Sequence, residues 1–166
     1  MAESKHGKYI CTDLKQGVVM PGFKGPQTIG QGYLDGHRRP LEHVIWMDSE
    51  VIPGAFYSEL TWSWPEHMLD QAPRLKLLDP EVAKNFPGIQ PHTHDFTEIL
   101  TYFGTNMDDP SDLGGEIELW LEDEQFILTK SFMAYIPAGM VHCPMKVLRM
   151  DAPMFHYTVG PGRKYA

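Results

Sequence analysis

The chain has 166 residues, enough for one domain with a hydrophobic core of its own. It carries 14 Lys and Arg against 22 Asp and Glu, a net charge of -8, which argues against nucleic acid as a partner because phosphate-binding surfaces show a basic footprint. No apolar stretch reaches signal-peptide or membrane-span length, so the expectation is a soluble, cytoplasmic protein without a membrane partner.

The 15 Gly and 14 Pro are scattered among short apolar runs, the pattern of an all-β domain with many turns. Residues 1–40 read as an N-terminal arm, with a strand candidate at 8–12 and an irregular Gly- and Pro-rich stretch at 17–40. Residues 41–166 read as the folded domain. Its first strand candidates are 43–48 and, after a turn at Pro53-Gly54, 55–64. On the second of these, Phe56, Leu60, Trp62 and Trp64 share one face, and Tyr57, Glu59, Thr61 and Ser63 share the other. An interruption from 65 to 91 holds one short helix, with Asp79 as N-cap and Pro80 in its first position, stopped by Pro87-Gly88. Further strands are expected at 92–103, 116–121, 125–129, 132–136, 141–150 and 154–159, with a polar loop at 104–115. About eight short antiparallel strands point to a jelly-roll barrel, which closes or covers its sheet edges.

The segment His92-Thr93-His94-Asp95-Phe96-Thr97-Glu98 carries the chemistry. Strand side chains alternate, so His92, His94 and Glu98 would share a face, and the carboxylate could join two imidazoles on one ion if the strand bends. A second segment, Tyr135-Ile136-Pro137-Ala138-Gly139-Met140-Val141-His142, reads as strand, tight turn and strand, returning His142 toward the interior. Three imidazoles and a carboxylate leave room on an octahedral ion for water or substrate. Such a donor set suits Fe(II), Mn(II), Ni(II), Cu(II) or Zn(II). The acidic net charge does not exclude an anionic substrate, because a bound ion brings its own positive charge.

HxHxxxE followed by PxGxxH resembles the paired motifs of the cupin superfamily, here bracketing 88–142, with candidate strands extending the resemblance to 43–160. His92, His94 and Glu98 match the ligands of the first motif and His142 that of the second. The match departs from the usual glycines at Phe86 and Ser131, from the spacing of the closing glycine at Gly104, and from the trailing asparagine at Lys146. The resemblance implies a small single-domain cupin, an all-β jelly-roll barrel holding one divalent metal ion. It also implies a homodimer, for which the arm and the 55–64 strand are the candidate contacts.

Strand parity adds Tyr102, on the ligand face with Phe96 and Leu100, as a hydrogen-bond donor or base. His156, sharing its face with Met154 and Thr158, is a candidate second-sphere group or proton shuttle. Both are weighed against simple packing roles. Cys143, next to a proposed ligand, is expected to face away from the ion, and with Cys11 it makes too few cysteines for a disulfide framework, which fits a reducing compartment. Trp62 and Trp64 are expected in the core or a subunit interface, and the acidic loop at 106–112 as a solvated turn rather than a calcium loop. Three functions fit these residues. One is an oxygenase whose partly apolar organic substrate chelates the metal. The second is a redox-neutral lyase, isomerase or decarboxylase in which Glu98 or Tyr102 moves a proton. The third is a non-catalytic small-molecule binder. The apolar residues around the ligands favour the first slightly.

Overall fold

The computed structural model describes residues 5–12, 15, 33–34, 40–71 and 89–163. They form two antiparallel sheets. The first has six strands in the spatial order β1 (Tyr33–Leu34), β2 (Pro40–Met47), β3 (Tyr57–Ser63), β9 (Met154–Gly160), β4 (Glu98–Phe103) and β7 (Phe132–Ile136). The second has three, in the order β6 (Glu124–Lys130), β5 (Asp112–Leu121) and β8 (His142–Met150). The only helical pieces among the described residues are two 3-10 turns, Gly7–Tyr9 and Glu66–Gln71. No helix among the described residues is long and apolar enough to cross a membrane.

The core lies between the sheets. β5 alternates cleanly, burying Leu113, Ile117 and Leu119 while Glu116, Glu118 and Trp120 face outward. Its inner face meets Tyr102, Val147, Met150 and Met154 at one end, and Leu100 and Ile136 at the other. Each fully buried Leu or Ile here is worth about 1.5–3 kcal/mol over its exposed state.

The rest of the inner face of the first sheet is polar. The face split expected for 55–64 is present, but Tyr57, Glu59, Thr61 and Ser63 point inward and are buried, while Phe56, Leu60, Trp62 and Trp64 lie on the outside. Burial of Glu59 is tolerated because it is matched: Tyr57 Oη donates to Glu59 Oε2 at 2.8 Å, and His43 Nδ1 lies 2.6 Å from Oε1. Trp62 and Trp64 are half-buried on the outer face, where Trp62 meets Phe155 edge-on at 5.3 Å. They therefore stand outside the inter-sheet core.

Three expectations need correction. Residues 8–12 form no strand: Tyr9 and Ile10 donate their amides to His6 and Gly7 in a turn, and both side chains are well exposed. Among the described residues no strand runs in register with this segment, and β propensity acts through such pairing. The strand expected over 92–103 begins only at Glu98; His92 holds an isolated bridge, and 93–97 is irregular. Within the stretch read as irregular, Tyr33 and Leu34 pair with Leu41 and Pro40. The expected helix at 79–86 lies outside the described residues. The acidic loop closes on itself, as a solvated turn should: Asn106 Oδ1 accepts from the amides of Asp108 and Asp109, and Asp109 accepts from Ser111.

Candidate metal centre

Four local devices bring the motif residues together. His92 and His142 exchange both backbone hydrogen bonds at 3.1 Å, which sets their rings 4.2 Å apart between centroids. After His92 the chain bends, and His94 turns its ring flat onto Phe96, at 4.3 Å and an interplanar angle of 6°. Phe96 in turn is wedged between Gly160 and Gly162: a Cβ on either would come within 2.6–2.7 Å of its ring. The turn of the second motif places Gly139 at φ +80, a left-handed conformation that favours glycine. Its amide donates to His94 O at 2.9 Å, tying the two motifs to each other.

Glu98 opens β4, opposite Ile136, and points into the same buried space. Candidate ligand atoms of His94, Glu98 and His142 all lie within 4.8 Å of one another. Glu98 Oε2 is 3.2 Å from His94 Nε2 and 3.3 Å from His142 Nε2. His92 sits beside His142 and belongs to a second such group, His92, His142 and Cys143.

The imidazoles are oriented by their far nitrogens. His92 Nδ1 meets Gln90 O at 2.8 Å, His94 Nδ1 meets Phe96 O at 2.6 Å, and His142 Nδ1 meets Met140 O at 3.1 Å. A carbonyl only accepts, so each Nδ1 carries the proton, and in the neutral ring Nε2 carries the lone pair. This is how metal-binding histidines are commonly held. His142 Nε2 and Glu98 Oε2 are then two acceptors facing each other. Glu98 Oε1 and His142 Nε2 are buried without a hydrogen-bond partner. Buried acceptors turned toward one another call for a cation between them, so the donor set fits a divalent ion.

The electrostatics agree. Burial works against the Glu98 carboxylate, but where the facing Nε2 atoms of His142 and His94 carry protons in place of an ion, they outweigh it and hold its pKa at about 2. Burial also works against a charged His94, yet the hydrogen bond and charge of Glu98 raise its pKa. Without an ion, a proton on His94 supplies the positive charge that Glu98 requires. The His92 pKa is pushed down by burial, with the neighbouring His142 adding to the effect.

The other expected residues are placed differently. Tyr102 is buried in the apolar cluster with Leu113, Ile117 and Met154, its ring stacked on His156 at 4.6 Å. His156 has both ring nitrogens engaged: Nδ1 donates to Thr101 O at 2.7 Å, and Nε2 accepts from Thr158 Oγ1 at 2.8 Å. Burial lowers its pKa, so the ring is neutral. Cys143 is buried and close to His92 and His142, contrary to the expectation that it faces away. Its backbone takes φ +71, and β8 spends three steps, His142 to Met145, where β5 spends two, Leu121 to Leu119. That bulge breaks the alternation and re-aims the thiol. Both cysteines are free thiols, and burial pushes the Cys143 pKa up to about 12.

Sequence reasoning missed the buried His43–Glu59–Tyr57 cluster. Its signal was the shared face of Tyr57, Glu59, Thr61 and Ser63, whose polar character reads as solvent-facing when no partner is in view.

No family model and no curated protein matches the chain. Solved structures do. A RmlC-like cupin from Shewanella frigidimarina is 11% identical over 86% of this chain and 96% of its own, with a TM-score of 0.39. A predicted oxalate decarboxylase from Thermotoga maritima is 12% identical over 90% of this chain and 92% of its own, with a TM-score of 0.44. KdgF from a Halomonas species is 14% identical over 86% and 87%, with a TM-score of 0.39.

Proposed function

We propose that this chain is a cupin-type metalloenzyme that holds one divalent transition-metal ion through His92, His94, Glu98 and His142 and acts on a small organic molecule. The observation that carries this reading is the pair of buried, unpartnered acceptors, Glu98 Oε1 and His142 Nε2, inside a cluster whose imidazoles are anchored by Nδ1. Burying such groups costs several kcal/mol unless an ion satisfies them.

A bound transition ion supplies Lewis-acid polarisation and, where redox-active, oxygen chemistry. The chain supplies four donors, a ring orientation fixed by backbone carbonyls, and the water-poor surroundings of Phe96 and Leu100. Of the reactions open to such a site we favour oxygenation of a partly apolar substrate. Of the groups that could serve a redox-neutral lyase, isomerase or decarboxylase as base, His156 has both ring nitrogens engaged and Tyr102 packs in the apolar cluster, which leaves that reading Glu98, itself a proposed ligand.

Metal analysis of the purified protein tests the first part: about one equivalent is expected, lost in His94→Ala. Oxygen uptake by Fe(II)-loaded protein against small phenolic, enolic and carboxylic compounds tests the second. Turnover that persists without oxygen rejects the oxygenase and favours the redox-neutral reading.

A further inference from the structure

The strongest feature outside the four-ligand set is the thiol of Cys143. We infer that Cys143, with His92 and His142, forms a second seat for a thiophilic divalent ion, sharing those two imidazoles with the four-ligand seat of His92, His94, Glu98 and His142. This rests on the metal-binding reading above.

Three observations carry it. Cys143, His92 and His142 offer ligand atoms that all lie within 4.8 Å of one another. His142 is common to both groups; its Nδ1 is engaged with Met140 O, and its remaining ligand atom, Nε2, is buried and has no hydrogen-bond partner. The bulge and the left-handed conformation at Cys143 bring the thiol inward beside His142, although adjacent strand residues ordinarily point to opposite faces.

The two seats differ in chemistry. The four-ligand seat adds the Glu98 carboxylate and the His94 imidazole to His92 and His142, and the other adds the Cys143 sulfur to the same two imidazoles. Thiolate selects Zn(II) or Cu over Mn(II), Mg(II) or Ca(II), whereas carboxylate suits the harder ions. One nitrogen lone pair binds one ion, so occupation of either seat through His142 excludes the other. The ion then selects its seat, and a thiophilic ion draws His142 away from Glu98. Ligation is balanced by release of the thiol proton to solvent as the sulfur–metal bond forms.

The test uses Co(II) as a spectroscopic stand-in for Zn(II), added to metal-free Cys11→Ser protein, in which Cys143 is the only thiol. We expect a near-ultraviolet sulfur-to-metal charge-transfer band beside the visible ligand-field bands. The band disappears in Cys11→Ser/Cys143→Ser and survives in Cys11→Ser/Glu98→Gln. Calorimetry in buffers of different ionisation heat should show one more proton released per ion with Cys143 than without it. Ligand-field bands without the charge-transfer band overturn the second seat and leave the metal-binding reading intact. No bound Co(II) at all overturns both. Loss of the band in Glu98→Gln while Co(II) stays bound overturns the separateness of the seats. The single-thiol protein decides the central point even if the Cys143→Ser variant fails to fold.

Discussion

Gly160→Ala tests whether Phe96 positions the His94 ring of the proposed metal site. A Cβ at Gly160 would lie 2.6 Å from Phe96 Cε2, 2.7 Å from Cδ2 and 2.9 Å from Thr97 O, where ordinary contact begins at 3.4 Å. The shortfall is about 0.8 Å, and Gly160 cannot retreat easily because it is paired with Tyr57 at the end of β9 and Thr97 O stands 2.9 Å from the new methyl. Phe96 must therefore move, and its other face lies flat against His94, whose Nε2 is 3.2 Å from Glu98. Overpacking of this kind costs about 1–3 kcal/mol, which for a chain of this size lowers Tm by about 4–8 °C at the midpoint of that range. Displacing a group that orients a ligand typically weakens metal binding about 10–100-fold. Competition titration with a chromophoric chelator measures the affinity, and calorimetry the Tm. Gly160→Ala should lose both, and pairing it with Phe96→Leu, which makes room for the new methyl, should recover much of the stability. Metal affinity equal to the parent protein, with a lowered Tm, would refute the role assigned to Phe96 and leave only a packing defect.

Two further predictions concern buried charge. In the metal-free protein the Glu98 pKa of about 2 lies below the ordinary 4.5. A depressed folded value contributes stability above the unfolded pKa and loses it as pH falls through the folded one. The gap is worth about 3 kcal/mol, lost between about pH 5 and pH 2. Urea unfolding across that range should be flatter in Glu98→Gln, although Glu59, also held low against its burial by His43, keeps some slope; an unchanged slope counts against the Glu98 contribution. The His43–Glu59 pair gives the second prediction. His43→Ala leaves Glu59 buried with one partner fewer and should cost about 3–5 kcal/mol. The His43→Leu/Glu59→Leu protein should lose less than the two single replacements together, by about 1 kcal/mol or more. Strict additivity in urea melts would show that the two side chains do not act as a pair.

The sequence by itself determined the strand-rich character and six strand positions to within a few residues from 55 onward, and it singled out His92, His94, Glu98 and His142 as candidate ligands. Strand period and turn chemistry are local, so 55–64, 132–136 and 154–159 could be read without knowing their partners. The route by which the ligands meet could not. Parity on one continuous strand was the reason to group His92, His94 and Glu98, yet His94 and Glu98 meet His142 through a bend that stacks His94 on Phe96 and a strand that starts at Glu98, while His92 stands beside His142 through its own bridge. Tertiary structure alone decided that Tyr57, Glu59, Thr61 and Ser63 face inward, because their burial depends on partners such as His43 from another strand. It decided the fate of Cys143 for the same reason. A bulge is a mismatch between two strands, so no property of 142–145 taken alone could place that thiol beside His92 and His142.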